Sequence, residues 1–169
     1  MRDPAVQQQL NRPFDATDEN FNMMFEELGW LAPFYLKLIA NEVRPSIART
    51  TENFPQATSA DFTAAFDALL EPNRQSEFGV WREHINKNLP ASDSGLAMKL
   101  LHAISQTSNG EIFDTLIAVA SEAQKGTHKR QVRDILSILL NDGLIALSKG
   151  RYQFRSGLIR RYWKEYEAE

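Results

Sequence analysis

The sequence contains no cysteine among its 169 residues. This absence excludes disulfide bonds, thiolate metal sites and thiol nucleophiles. Apolar runs are short as well, and none approaches the roughly 18 residues that a membrane-spanning helix requires. The opening residues, Met1-Arg-Asp-Pro, lack the apolar core of a secretory signal. We therefore expect a cytoplasmic protein without a membrane partner.

Residues for metal or phosphate chemistry are scarce and scattered. The three histidines, His84, His102 and His128, have no neighbours at metal-ligand spacing, which favours surface or capping roles. The eight glycines form no Gly-x-x-x-x-Gly-Lys-Ser/Thr loop, whose backbone N–H groups would surround a phosphate. Acidic pairs such as Glu26-Glu27 are typical of solvated helix faces. The sequence therefore predicts no catalytic residue, no metal and no cofactor in this chain.

Charge is unevenly distributed along the chain. Hydrophobic residues at 43% and charged residues at 24% are typical of a soluble globular protein. The formal net charge is only −3, but the stretch 125–164 contains ten basic and two acidic residues. The wider stretch 93–169 contains eleven basic and nine acidic residues, so the excess of basic residues is local. Such an excess indicates either an anionic partner or a solvated surface.

Apolar residues at helical spacing predict four helices before residue 91. Their ends are marked, in order, by Thr17 and Gly29, by Pro33 and Pro45, by the capping pair Thr58 and Asp61 followed by Pro72, and by Leu89-Pro90. In the second helix the expected apolar stripe comprises Phe34, Tyr35, Leu38, Ile39 and Val43. The small and polar segment 90–95 is typical of a linker, and we place a domain boundary there.

The remaining residues predict helices and a β-hairpin. Apolar positions indicate two short helices, and a third begins after the cap Thr127. The runs 144–147 and 151–154 flank a turn at Ser148-Lys-Gly150, which indicates a hairpin. A last amphipathic helix follows the cap Ser156. Three helices followed by a hairpin are typical of a winged helix, so the predicted fold class is mostly α with a small β-hairpin wing.

Two segments carry a resemblance to a known family. The string Leu28-Gly-Trp-Leu-Ala-Pro-Phe-Tyr-Leu-Lys-Leu-Ile39 resembles the start of the helical lid that follows the nucleotide-binding core in a group of prokaryotic AAA/STAND ATPases. The string Tyr152-Gln-Phe-Arg-Ser-Gly-Leu-Ile-Arg-Arg-Tyr-Trp163 is similar to the wing strand and closing helix of their C-terminal winged helix. Together the two strings bracket roughly residues 14–166.

Composition and the resemblance together divide the chain into three parts. Residues 1–13, with three consecutive glutamines and no apolar periodicity, are expected to be a flexible arm or linker remnant. Residues 14–91 would be a helical lid-like subdomain, and 92–169 the winged-helix domain with its C-terminal helix. ATP and Mg²⁺ would belong to an ATPase core N-terminal to this chain. Lids of this kind pack against that core, which makes Trp30, Phe34 and Tyr35 candidates for docking onto it. The alternative is that these three aromatic residues pack within the chain.

Six basic residues are candidates for contact with double-stranded DNA. In a DNA-binding winged helix the third helix enters the major groove and the wing contacts phosphates. The candidates are Lys129, Arg130 and Arg133 on the third helix, Lys149 and Arg151 on the wing, and Arg155 after it. The alternative is a solvated basic face, or one that docks onto an acidic segment or onto the ATPase core.

Two functional hypotheses remain open at this point. The first is a non-catalytic regulatory or adaptor region of an AAA/STAND ATPase, whose winged helix binds DNA or a partner protein. The second is a free-standing winged-helix transcriptional regulator whose N-terminal helices form a dimer interface. A symmetric dimer with its two recognition helices about 34 Å apart would favour the second hypothesis.

Overall fold

The computed structural model describes residues 14–29, 31–46 and 55–166. These residues are mostly helical, with eight α-helices and two small β-sheets among them. Backbone contacts divide the chain into two units, Met1–Arg74 and Gln75–Glu169. The boundary that we expected at residues 91–92 therefore lies within the second unit. In the described part of the chain, no helix is long and apolar enough to cross a membrane.

The helices of the first unit begin and end at residues that the sequence marks. They are α1 (Asp18–Leu28), α2 (Pro33–Glu42) and α3 (Ser59–Leu69). The Thr17 hydroxyl accepts a hydrogen bond from the Asn20 N–H at 3.2 Å, and α1 stops at Gly29, where φ is 70°. α3 opens with the predicted capping box of Thr58 and Asp61. Local capping rules therefore account for these helix ends.

The core of the first unit lies between these helices. Its buried side chains include Phe21, Met24, Leu28, Tyr35, Leu36, Ile39, Val43, Phe62, Phe66 and Leu69. The predicted stripe of α2 is wrong at Phe34, which is 53% exposed, whereas Leu36 is buried. Residues 35, 36, 39 and 40 form the inward face of α2, because they recur at the 3.6-residue period and residue 34 falls outside their arc.

A pair of short parallel strands completes the first unit. β1 (Asp15–Ala16) pairs with β2 (Gln56–Ala57), and the Asp15 N–H donates to the Pro55 carbonyl at 2.8 Å. The sequence does not predict these strands, because two residues are too few to show an alternating pattern. The expected arm at residues 1–13 lies outside the described residues.

Asp61 is a buried carboxylate at the start of α3. Its Oδ2 accepts hydrogen bonds from the Thr58 N–H at 2.8 Å, the Thr58 hydroxyl at 2.9 Å and the Ser46 hydroxyl at 3.0 Å. Burial by itself raises the pKa of Asp61, but the backbone and hydroxyl hydrogen bonds outweigh it and hold this pKa below its ordinary value. The charged form of Asp61 therefore stabilises the junction between Ser46 and the start of α3.

The second unit contains five α-helices among its described residues. They are α4 (Val80–Asn88), α5 (Ala91–Ser105), α6 (Phe113–Ala123), α7 (Lys129–Asn141) and α8 (Gly157–Tyr166), with a 3₁₀ helix at Pro72–Glu77 before them. The predicted linker at 90–95 is helical instead. The Pro90 carbonyl accepts from the Asp93 and Ser94 N–H groups at 2.8 and 3.0 Å, and serine and aspartate are favourable in a first helical turn.

A three-stranded antiparallel sheet follows the order β3-β5-β4. The predicted hairpin consists of β4 (Ile145–Ser148) and β5 (Arg151–Phe154), and β3 (Glu111–Ile112) pairs with the free side of β5. β3 was not predicted. It follows Gly110, whose φ is 68° and where a Cβ atom would lie 2.0 Å from the Tyr152 carbonyl oxygen. Only glycine allows this close approach of the two backbones.

The last helix packs back onto the second unit, as the sequence predicts. α8 buries Leu158, Ile159, Tyr162 and Trp163. The Tyr162 ring stacks on Phe78 with 4.9 Å between centroids, and the Trp163 ring lies 5.8 Å from that of Phe154. The rest of this core comes from α5, α6 and α7 and includes Leu96, Leu100, Leu101, Ile104, Leu116, Val132, Ile135, Leu136 and Leu139.

Candidate functional site

The helix α7 turns its apolar side inward and its cations outward. Its buried side chains are Val132, Ile135, Leu136 and Leu139, and its exposed cations are Lys129, Arg130 and Arg133. The expected cap Thr127 is not the N-cap residue, because its hydroxyl donates to the Gln124 carbonyl at 2.8 Å. His128 occupies the cap position and makes no side-chain capping bond there. The first turn of α7 therefore presents basic side chains at an uncapped helix start.

Arg130 is highly exposed and only weakly paired. Its Nε lies 3.8 Å from Oδ2 of Asp134, one turn later, and the side chain is 92% exposed. An ion pair at this distance in water contributes little, about 0.3 to 0.5 kcal/mol for this helical spacing. Arg130 is therefore available to a ligand.

Arg133 lies against an aromatic ring instead of a carboxylate. Its guanidinium carbon is 5.2 Å from the centroid of Phe113, the first residue of α6. The Phe113 ring is in turn 6.5 Å from the ring of Tyr152 in β5. Tyr152 pairs across the sheet with Leu147 in β4. These contacts connect α7 to the hairpin through the start of α6.

The hairpin turn carries a lysine in an unusual conformation. Lys149 and Gly150 are the two residues between β4 and β5, and their φ angles are 50° and 76°. Both values belong to the turn type that matches the twist of a two-residue hairpin. Lysine is less suited than asparagine or glycine to a positive φ. The turn therefore places an exposed ammonium group at the tip of the sheet at some cost in backbone energy.

Arg151 is fixed to the base of β3. Its Nη1 donates to the Gly110 carbonyl at 3.0 Å, and the same carbonyl accepts from the Thr107 hydroxyl at 3.0 Å. The rest of the Arg151 side chain is exposed. Arg151 therefore combines a structural hydrogen bond with an accessible charge beside the turn.

Arg155 lies at the other end of β5 from the Lys149 turn. It is exposed, and its backbone N–H donates to the Leu144 carbonyl at 3.2 Å. At about 3.3 Å per residue, the four residues from Arg151 to Arg155 span roughly 13 Å. Of the six candidates, Arg155 is therefore set apart from the hairpin tip.

The docking candidates of the first unit have different environments. Phe34 is exposed, with its ring 5.4 Å from that of Tyr35, which is buried. Leu31, just before α2, is 42% exposed and was not predicted as a surface residue. Trp30 lies outside the described residues. Around the docking candidates, the exposed large apolar residues that the structure describes are therefore Leu31 and Phe34.

Sequence reasoning missed four residues around the basic candidates. Phe113 and Tyr152 join α6 to the sheet, while Leu147 and Ile112 are 56% and 42% exposed on β4 and β3. The predicted turn Ser148–Gly150 would have placed Leu147 opposite Arg151, whereas the observed two-residue turn Lys149–Gly150 places Leu147 opposite Tyr152. The neighbourhood of Phe113 and Arg133 depends on how α6 and α7 pack, which no local pattern encodes.

The described residues offer little for metal or acid–base chemistry. No group of three or more histidine, aspartate or glutamate side chains among them is arranged to hold a metal ion. A cleft of about 290 Å³ between α5 and the end of α6 is lined by Ser92, Gly95, Leu96, Lys99, Ala123 and Gln124. This lining contains one lysine and no carboxylate, so it has no acid–base pair.

Comparison with known proteins gives no match: no protein-family model, no curated protein and no solved structure is significantly similar to this chain.

Proposed function

We propose that the chain is a non-catalytic regulatory or adaptor region whose second unit is a winged helix that contacts double-stranded DNA. The observation that carries this proposal is the element order. Three helices, α5, α6 and α7, precede the β4–β5 hairpin, and β3, between α5 and α6, joins the same sheet. In DNA-binding proteins of this arrangement the third helix enters the major groove and the wing contacts the backbone.

The distribution of cations supports this role. Among the described residues none forms an ion pair with Lys129, Arg133, Lys149 or Arg151, and Arg130 has the weak pair with Asp134. Each phosphate that is neutralised releases counterions, so affinity depends on salt. Five such contacts would give a slope of about −4.5 in log K against log salt concentration.

A parent ATPase of the AAA/STAND type is part of the proposal. The two segments with the family resemblance, 28–39 and 152–163, include most of α2 and three of the four residues of β5. The exposed Leu31 and Phe34 at the start of α2 give a lid-like unit an apolar surface for a neighbouring domain. ATP and Mg²⁺ would be bound by that domain, and this chain would transmit its nucleotide state.

A partner protein is the second candidate ligand, and the exposed apolar residues of the wing favour it. Leu147 and Ile112 lie beside Arg151 and Tyr152. Arginine and aromatic residues around an apolar centre are typical of protein interfaces.

The alternative hypothesis is a free-standing transcriptional regulator, which would use Leu31 and Phe34 to dimerise. Sedimentation velocity distinguishes the free-standing regulator from the ATPase region, because only the regulator hypothesis requires a dimer.

The proposed DNA contact is tested by fluorescence anisotropy with a labelled duplex across a salt series. The wild-type chain is compared with a triple alanine variant of Lys129, Arg130 and Arg133. Loss of three contacts is expected to weaken binding about a hundredfold at 0.1 M salt and to reduce the slope by about 2.7.

The matched control removes the same charge elsewhere, through a triple alanine variant of the exposed residues Lys37, Lys87 and Lys99. It is expected to bind nearly as the wild type does. Equal losses in the two triple variants would overturn the assignment of the surface. Absence of binding by the wild type at low salt would overturn DNA as the ligand and favour the partner protein.

A further inference from the structure

Phe113 occupies a junction between the two parts of the proposed DNA surface. It is the first residue of α6 and follows β3 directly. Its ring centroid lies 5.2 Å from the guanidinium carbon of Arg133 in α7 and 6.5 Å from the ring centroid of Tyr152 in β5. The neighbouring Ile112 pairs with Arg151 in β5. The position of Phe113 is therefore tied to the sheet by backbone pairing.

The contact between Phe113 and Arg133 leaves the arginine able to bind. A cation over an aromatic face is held by the ring quadrupole, while the N–H donors of a guanidinium point outward in its own plane. A phosphate that approaches the edge of the guanidinium therefore does not displace the ring. The ring restricts the rotamers of a long side chain, which lowers the entropy lost on binding.

Arg130 provides a contrast on the same helix. It lies one turn earlier, is 92% exposed, and its only neighbour of opposite charge among the described residues is Asp134, at 3.8 Å. No aromatic ring lies against it in the described part of the chain. Two arginines three residues apart on one helix thus have different neighbours, an aromatic ring for Arg133 and a carboxylate at 3.8 Å for Arg130.

We propose that Phe113 is a positioning residue for DNA binding, a role that rests on the proposed DNA contact. It holds the Arg133 guanidinium in a fixed orientation beside the hairpin, so that Arg133 and the wing cations meet the same stretch of phosphate backbone. Arg130 acts independently of Phe113. The role of Phe113 is exerted through Arg133, and its ring makes no contact with the ligand.

The test is a double-mutant cycle measured by duplex-DNA anisotropy. Phe113→Leu keeps an apolar side chain and removes the ring, and it is expected to weaken binding about two- to fivefold. The salt slope should stay the same, because the phosphate contact persists. Phe113→Tyr restores a ring and should restore the affinity. In an Arg133→Ala background, Phe113→Leu should have no further effect.

Arg130→Ala provides the matched background, in which Phe113→Leu is expected to retain its full two- to fivefold effect. Equal effects of Phe113→Leu in both backgrounds would show a structural role of the ring and overturn the proposal, as would wild-type affinity of the single variant. Thermal unfolding of each variant identifies any loss of folded protein.

A second readout needs no DNA. The Arg133 side-chain protons in the wild type should show upfield ring-current shifts in NMR spectra, and Phe113→Leu should remove them. Absence of these shifts would show that the Phe113 ring does not contact the Arg133 side chain, and would overturn the proposal. If the shifts are present but the wild type binds no duplex, the proposed function fails and the positioning role fails with it. If the wild type binds without coupling, the positioning role alone fails.

Discussion

The two units of the chain differ in what their charged side chains contact. The first unit has eleven acidic and six basic residues, and the second has eleven acidic and thirteen basic ones. In the first unit, Asp61 accepts three hydrogen bonds and Glu42 pairs with Arg74 at 2.7 Å. In the second, Arg133 lies 5.2 Å from the centroid of the Phe113 ring, and Lys129, Arg130 and Lys149 are exposed. The second unit therefore contains the exposed cations that we propose for DNA contact.

The units also differ in how the backbone constrains them. In the first, side-chain caps define the starts of α1 and α3. In the second, α5, α6 and α7 begin without a side-chain cap bond, and backbone pairing within a three-stranded sheet holds β3 and the start of α6. Single substitutions can therefore measure separately how capping, backbone conformation and packing contribute to the stability of each unit.

Removal of the largest buried side chain should have the largest effect. Trp163 is fully buried, so Trp163→Ala is expected to destabilise the second unit by about 3 to 5 kcal/mol. Urea denaturation followed by circular dichroism measures this change. Trp163→Phe should cost much less, because it also removes an indole N–H that has no partner among the described residues. A loss below 1 kcal/mol for Trp163→Ala would contradict the described core.

A methyl group at Gly110 should disrupt the backbone constraint of the second unit. Gly110→Ala combines a positive φ with a Cβ at 2.0 Å from the Tyr152 carbonyl oxygen, and we expect a loss of about 2 to 3 kcal/mol. Gly150→Ala is the matched control, because its φ is also positive but no atom lies within 4 Å of the added Cβ. It should cost only about 1 kcal/mol. Equal thermal shifts of the two variants would contradict the close β3–β5 approach.

Loss of the Asp61 carboxylate should have an intermediate effect in the first unit. Asp61→Ala removes half of a capping box and is expected to cost about 1 kcal/mol at neutral pH. Because the pKa of Asp61 is lowered in the folded state from its ordinary 3.8, its stabilisation is present above that pH and is lost as the pH falls below it. The difference between wild type and variant should therefore shrink below about pH 4.

Urea denaturation at several pH values measures this dependence. Glu26→Ala, at an exposed position of α1, serves as the control and should change stability by less than about 0.5 kcal/mol at every pH. A constant difference between Asp61→Ala and the wild type down to pH 2 would contradict the role of the ionised carboxylate.

The smallest effect is expected at the exposed aromatic residue of α2. Phe34→Ala removes a ring that is more than half exposed and that lies in a T-shaped arrangement with Tyr35, so we expect a change of about 0.5 kcal/mol. Leu36→Ala, two residues later and buried, should cost about 2 to 5 kcal/mol. Thermal unfolding compares the two. A large loss at Phe34 would show that its ring is covered and would remove it from the proposed docking surface.

The sequence predicted those parts of the fold that local chemistry determines. Thr17, Gly29 and the Thr58–Asp61 box define helix ends because capping involves neighbouring residues. The two-residue strands β1 and β2 were not predicted, because they exist only through pairing between distant segments. The linker at 90–95 was predicted wrongly, since serine and aspartate favour both a linker and a first helical turn.

The candidate site shows the same limit. Periodicity correctly placed Lys129, Arg130 and Arg133 on the exposed side of α7, and the turn residues correctly placed Lys149 in the hairpin turn. The contact between Arg133 and Phe113 was not predicted, because it depends on the packing of α6 against α7. Sequence patterns therefore predicted which basic residues are exposed, and the tertiary structure shows which of them contacts an aromatic ring.

The proposed DNA contact is tested most directly by amide chemical-shift mapping of the chain with a short DNA duplex at low salt. We expect perturbations concentrated in 127–137 and 145–152, with none at residues 31–36 of the first unit. Perturbations confined to the first unit, or no perturbation in the second at saturating duplex, would contradict the claim that the basic surface of the second unit is the DNA-binding surface.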